Sequence, residues 1–277
     1  MICNNIVPLG VAGGMIAIMG PDRCIFCNVV LDASQKNLPS SRTEEHVFAR
    51  WFRGAVVNDK MKMFTGTVRQ GAVLHRHPPL ERLVNKTVCR KCNNGWMATL
   101  EESVAPLFQR LIAGETADKF SNAEVEFLAR WTGKTAAVLS YATPQRARVP
   151  RYASRTLHPG STSPPKMAFF YSHIAADVTL EGGYLQLIYG TEIGLVGTDE
   201  VPGTRFTICV YNHCLTVDFP PIVEGATYDL RESCSAMLWP RREPAGAKMQ
   251  ADSPMTISDV LFAICNGVKT GLKMQLP

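Results

Sequence analysis

Four of the nine cysteines in this 277-residue chain stand in two pairs of the same spacing, Cys24-Ile-Phe-Cys27 and Cys89-Arg-Lys-Cys92. A two-residue gap lets both thiolates of a pair turn toward one point, and two such pairs supply the four sulfurs of a closed tetrahedral zinc site. The 61 residues between the pairs exceed the roughly 15–20 of compact zinc modules, so a substantial segment is inserted between them. A thioredoxin-like redox pair is the alternative for one Cys-x-x-Cys, but it leaves the other pair idle. The remaining cysteines sit in apolar surroundings such as Thr207-Ile208-Cys209-Val210 and read as small buried hydrophobes. An odd count argues against a disulfide framework and for a reducing, cytoplasmic setting.

Two further fragments carry chemistry. Ser41-Arg42-Thr43 leads into Glu44-Glu45-His46, and the second cysteine pair runs on into Asn93-Asn94-Gly95-Trp96-Met97. Carboxylate and amide oxygens are hard ligands suited to Mg²⁺ or Mn²⁺, whereas thiolates take zinc. An imidazole titrates near neutrality, as a general base requires. In this order, over residues 24–102, the sequence resembles the HNH endonuclease superfamily, in its branch with a four-cysteine structural zinc. The Cys-Asn-Asn-Gly-Trp-Met run is similar to a subgroup from bacteria and phages.

The resemblance implies a ββα-metal site. His46 would take a proton from the attacking water. Glu45 would hold a divalent metal, magnesium or manganese, with Asn93 as second ligand and Asn94 as the alternative if the register differs by one. The metal would polarise the scissile phosphate and stabilise the departing oxygen. Many members carry His at the position of Asn93, and Ala49 stands where a Pro often follows the catalytic His. The middle Asn of the family name has no sure match; Asn85 is nearest but offset. Plainer roles remain open at each position. His46 could be structural, Glu45 a helix first-turn carboxylate with Glu44 as its competitor, and Asn93 or Asn94 a helix cap. His75 and His77 alternate as in a loop or strand. Arg42, Arg50, Arg53, Arg90 and Lys91 are candidate phosphate contacts, or else a solvated surface.

The elements that must position these residues follow from patterning. Val29-Val30-Leu31 is strand-like, residues 54–80 read as an insertion or long loop, and Leu83 to Val88 reads as a strand entering the second cysteine pair. Asn93 to Ile112 has near-helical apolar spacing, with Pro106 expected to kink or split it and Gly114 to end it. Ser121-Asn122-Ala123-Glu124 is a capping box opening a helix to about Tyr141, with Trp131 on its buried side. Pro144 to Pro165 reads as a linker. Residues 167–171, 184–189, 205–211 and 236–240 carry strand signals.

Composition is ordinary for a globular protein, 46% hydrophobic and 19% charged, and excludes collagen, coiled coil and extensive disorder. The apolar run Ile6 to Met19 is 14 residues, short of the roughly 20 that cross a bilayer. It is broken by Pro8 and three glycines and lacks a basic leader, so it reads as an N-terminal extension with Met15 or Met19 as the functional start. Residues 20–110 carry 14 Lys+Arg against 8 Asp+Glu, a net +6, while residues 111–277 carry 15 against 16, so the whole positive excess of the chain's net +5 lies in that one third. Positive charge so concentrated favours a polyanion.

The expectation is therefore an α+β protein: an N-terminal extension (1–19), a small ββα-metal zinc module (20–112), then two helices and a mainly β C-terminal region (113–277). Its expected activity is metal-dependent hydrolysis of DNA phosphodiesters, with RNA as an alternative substrate, no membrane partner, and a phage or bacterial-defence setting. The competing expectation is a non-catalytic zinc module that binds nucleic acid or protein.

Overall fold

The computed structural model describes residues 22–34, 37–56, 62–69, 72–76, 83–142, 149–173, 184–193, 201–211, 213–219, 227–229, 236–239 and 273–275. The N-terminal extension, His77 and Pro240 lie outside them.

Two antiparallel strands, β1 (Arg42–His46) and β4 (Val84–Cys89), form a ribbon in which Arg42 faces Cys89, Glu45 faces Asn85 and His46 faces Val84. The chain leaves β4 through a single turn, α2 (Arg90–Cys92), and a π-helical stretch, Asn93–Met97, into α3 (Ala98–Ile112). Glu45 and His46 are thus strand residues, and the helix-terminus reading of Glu45 is set aside. Val29–Leu31 is not a strand: Val30 makes an isolated bridge to Arg23, and a second isolated bridge joins Asp32 to Ser41. Pro106 does not split α3; the kink falls at Gly95, whose backbone leaves helical geometry at φ −98° and ψ −114°.

Three elements depart from the sequence expectation. α1 (Arg50–Val56) follows β1. The supposed long loop at 54–80 holds a hairpin, β2 (Lys62–Arg69) and β3 (Ala72–Arg76), with His75 opposite Gly66. The linker at 144–165 contains α5 (Arg151–Thr156), anchored by fully buried Val149, Ala153 and Leu157. Pro and Arg richness signalled a loop there, but apolar residues four apart gave the segment a face to bury.

β2 and β3 do not close on the ribbon. They form one edge of a seven-stranded sheet with β5 (Ala168–His173), β6 (Tyr184–Ile193), β7 (Val201–Val210), β8 (His213–Phe219) and β10 (Ala236–Trp239), in the order β10-β5-β8-β7-β6-β2-β3. Among the described strands of this sheet only β2 and β6 pair in parallel; β9 (Thr227–Asp229) pairs separately with β11 (Lys273–Gln275). The protein is therefore α+β. Among the described residues, no helix is long and apolar enough to cross a membrane.

α4 (Asn122–Ala142) is the central post. Ser121 and Glu124 close the expected capping box, each backbone N–H donating to the other's side chain. From Val125 to Ser140 the helix is buried on nearly every side, the pattern of a helix enclosed by other elements. At Gly133 an added Cβ would come within 2.6 Å of the Met167 sulfur, so the glycine permits that close approach. Trp131 packs with Trp51, Phe52 and Phe108 at centroid separations of 4.8–6.1 Å, joining α1, α3 and α4.

Buried His213 links the end of α3 to the sheet. The Leu111 carbonyl can only accept, so Nε2 carries the proton it donates at 2.8 Å, and Nδ1 accepts from the Tyr171 hydroxyl at 2.8 Å. Cys214 departs from the free-thiol expectation: it is disulfide-bonded, and its register partner on β7 is Cys209. Replacing His213 with Leu should lower the unfolding free energy by about 1–3 kcal/mol, and Tyr171→Phe by less, because each strands buried polar atoms. Urea unfolding midpoints at constant slope check this.

Candidate functional site

Each cysteine pair is shaped by backbone hydrogen bonds before any ion is considered. In the first, Cys24 N–H donates to Val29 O at 2.9 Å and Asn28 N–H to Cys24 O at 3.0 Å. Asn28 completes the turn at φ 63°, a left-handed conformation that Asn tolerates better than most residues. Ile25 N–H donates to Thr87 O at 3.0 Å, which docks the turn on β4. The second pair follows directly from β4, and the backbone N–H of Arg90 and Lys91 are held by Ser41 O and Pro39 O.

The two turns bring all four sulfurs within 4.8 Å of one another, and Cys27 Sγ and Cys89 Sγ are 3.5 Å apart. Zn–S bonds of about 2.3 Å in a tetrahedron place sulfurs about 3.8 Å apart, so the donor set fits a zinc ion. Backbone N–H groups of Cys89 and Cys92 donate to Cys24 Sγ and Cys89 Sγ at 3.5 and 3.4 Å, outer-shell bonds of the kind that orient thiolate ligands. Hydrogen bonds from Cys89 and Cys92 hold the Cys24 thiol far below its ordinary value. Facing that thiolate, Cys89 is pushed up to about 12 and Cys92 higher still. Only a cation at the centre allows all four to ionise together. A redox pair within one turn does not account for sulfurs drawn together from both.

The other predicted residues are distributed along the ribbon. His46 ends β1 and is exposed. It lies four positions along the strand from Arg42, which faces Cys89, so the strand carries it about 13 Å from the thiolate end. Exposed Glu44 pairs with Lys86 at 2.9 Å. Glu45 points the other way, into the protein, and lies 3.6 Å from the ammonium of Lys134. Lys134 is fully buried on α4 and also pairs with Glu101 of α3, whose second oxygen accepts from Trp51 Nε1 at 2.6 Å. Burial pushes the Glu45 carboxyl above its usual range, aided by the Glu101 charge and opposed by Lys134. Burial pulls Lys134 down, but Glu101 and Glu45 outweigh it and hold its pKa above the ordinary value.

Asn93 is half-buried and Asn94 exposed; both lie in the π-helical stretch immediately after Cys92. Asn85 is buried. It donates to Val138 O at 2.7 Å and accepts from the Thr87 hydroxyl at 2.6 Å, so it ties β4 to α4. Among the arginines, Arg42 is ion-paired with Asp22, Arg90 donates to Asn37 at 3.2 Å, Arg53 is half-buried, and Arg50 and Lys91 are exposed.

Sequence reasoning missed Lys134, Glu101 and Trp51. The signal was a lone lysine in the apolar run Trp131 to Leu139, since a lysine is almost never fully buried unless paired.

No family model matches the chain, nor does any curated protein or solved structure.

Purified protein should carry about one zinc per chain by elemental analysis, and Cys92→Ser should lose it together with the fold of residues 22–34. Lys134→Met should destabilise by about 3–5 kcal/mol, because it leaves two carboxylates facing each other without their cation. Adding Glu45→Gln and Glu101→Gln should restore most of that loss in a denaturation cycle.

Proposed function

We propose that the protein is an HNH-type endonuclease that hydrolyses DNA phosphodiester bonds. The observation that carries this reading is the order of parts. A strand ending in Glu45-His46 pairs with the strand that leads into the second cysteine pair, the chain then turns into a helix, and both cysteine pairs meet at the head of that helix. This is the sequence of elements that a ββα-metal site requires.

His46 is the general base. It is exposed at the strand end, where a water molecule aligned on a phosphate can reach its ring and an imidazole nitrogen can accept the proton. Glu45 is the proposed ligand for magnesium or manganese, with Asn93, or Asn94 if the register differs, as the amide donor. The donor chemistry fits, since all are hard oxygens. When bound, the metal supplies charge to the scissile phosphate and the leaving oxygen. Lys134 is a positioning residue: its ammonium compensates the charge of Glu45 and Glu101 inside the protein. The zinc would hold the ribbon and the helix together and take no part in hydrolysis.

The ion pair of Glu45 with Lys134 favours one competing reading. In a non-catalytic zinc module the carboxylate would be committed to structure and the protein would bind nucleic acid without cutting it.

Supercoiled plasmid incubated with the zinc-loaded protein and Mg²⁺ or Mn²⁺ should be nicked or linearised. His46→Ala should abolish this while leaving zinc content and unfolding midpoint unchanged. Undiminished cleavage by His46→Ala would refute its role, and salt-sensitive binding with no cleavage under either metal would favour the non-catalytic module.

A further inference from the structure

Several described surface cations are matched with carboxylates. Arg110 pairs with Glu115 and Glu124, Arg130 with Glu126, Lys86 with Glu44 and Arg42 with Asp22. Beside the first cysteine pair, arginines are held by uncharged oxygens instead. Arg23 Nη1 donates to Asn28 O at 3.0 Å, Arg155 Nη2 to Asn28 Oδ1 at 2.6 Å, and Arg151 Nη1 to Arg23 O at 3.4 Å. Three guanidinium groups, two of them on α5, converge on one turn through uncharged oxygens. Among the described residues none of the three is ion-paired, and neither is exposed Lys91 on the adjoining turn.

The scaffold beneath them is aromatic. Trp96 meets Phe26 of the first turn edge-on at 5.2 Å and His158, just past α5, at 5.9 Å. Gathering like charges within a Debye length of about 8 Å costs free energy, and a partner with closely spaced negative charges recovers it. The hydrogen bonds use only part of each guanidinium fork, which leaves N–H donors of the kind that grip phosphate oxygens.

We propose that the surface formed by the first cysteine turn and α5, with Arg23, Arg151 and Arg155 at its centre, binds the phosphate backbone of the DNA duplex that the protein cuts. This rests on the nuclease reading for the identity of the polyanion. It moves the main backbone contact away from the arginines singled out by sequence, of which Arg42 is neutralised by Asp22. It also gives the segment after α4 a task, since it lends cationic side chains to the zinc module.

The test measures duplex binding by full-length, zinc-loaded His46→Ala protein, by fluorescence anisotropy of a labelled duplex across a salt series without added divalent metal. Arg151→Gln/Arg155→Gln in that background should lower the slope of log K against log salt by about 2, and weaken binding about tenfold or more near physiological salt, as expected when two phosphate contacts are lost. Arg151→Lys/Arg155→Lys keeps the charge and should keep the slope, which separates phosphate contact from damage to the turn; zinc content is measured for both. If the Gln pair holds zinc and binds with an unchanged slope, the proposal is overturned while the nuclease reading stands. If the slope falls as expected but the unmutated protein never cuts DNA, the surface stands and the nuclease reading falls. Absence of duplex binding at low salt overturns the proposal.

Discussion

Four thiols held within 4.8 Å of each other cannot all lose their protons unless a cation absorbs the charge, and this constraint organises the rest of the molecule. One sulfur pair comes from a turn at residues 24–27 and the other from the exit of β4, so a single ion would join segments more than sixty residues apart in sequence. Metal binding of this kind is folding free energy. The ribbon register, the docking of Ile25 on Thr87 and the kinked entry into α3 all radiate from that point. A zinc ion among these sulfurs would act as a structural hinge pin, fixing where the ribbon ends.

A second polar centre holds the ribbon to the protein behind it. Lys134 reaches from α4 between Glu45 of β1 and Glu101 of α3, and Asn85 on β4 binds the Val138 carbonyl of the same helix. Buried charges are costly to isolate but specify geometry when every partner is present. Along one strand, His46 and Glu45 therefore face different worlds: the imidazole meets solvent and the carboxylate meets a buried cation. The proposed hydrolysis would need both an accessible base and a carboxylate of fixed position, and it assigns these roles to His46 and Glu45.

What sequence could disclose was mostly local. The paired Cys-x-x-Cys spacing, the capping box at Ser121 and Glu124, and the apolar period of α3 and α4 each encode their own geometry, and each appears as read. The strand signals near residues 168, 184, 205 and 236 did likewise. Long-range pairing was not legible. Nothing in Lys62–Arg69 announces that β2 will pair in parallel with Tyr184–Ile193, because strand partners are chosen across the fold rather than along the chain. α5 was hidden by the prolines that flank it and by its arginines, and the Lys134 triad by the distance in sequence between its members. A disulfide at Cys214 was masked by a neighbourhood that looks like ordinary buried strand.

The central claim is that one ion sits among four sulfurs. X-ray absorption at the zinc edge of the purified, full-length protein tests it most directly. The account predicts a first shell of four sulfurs at about 2.3 Å with no nitrogen or oxygen. A shell of two sulfurs with nitrogen or oxygen ligands, or a protein that holds no zinc while all four cysteines are reduced, would contradict it.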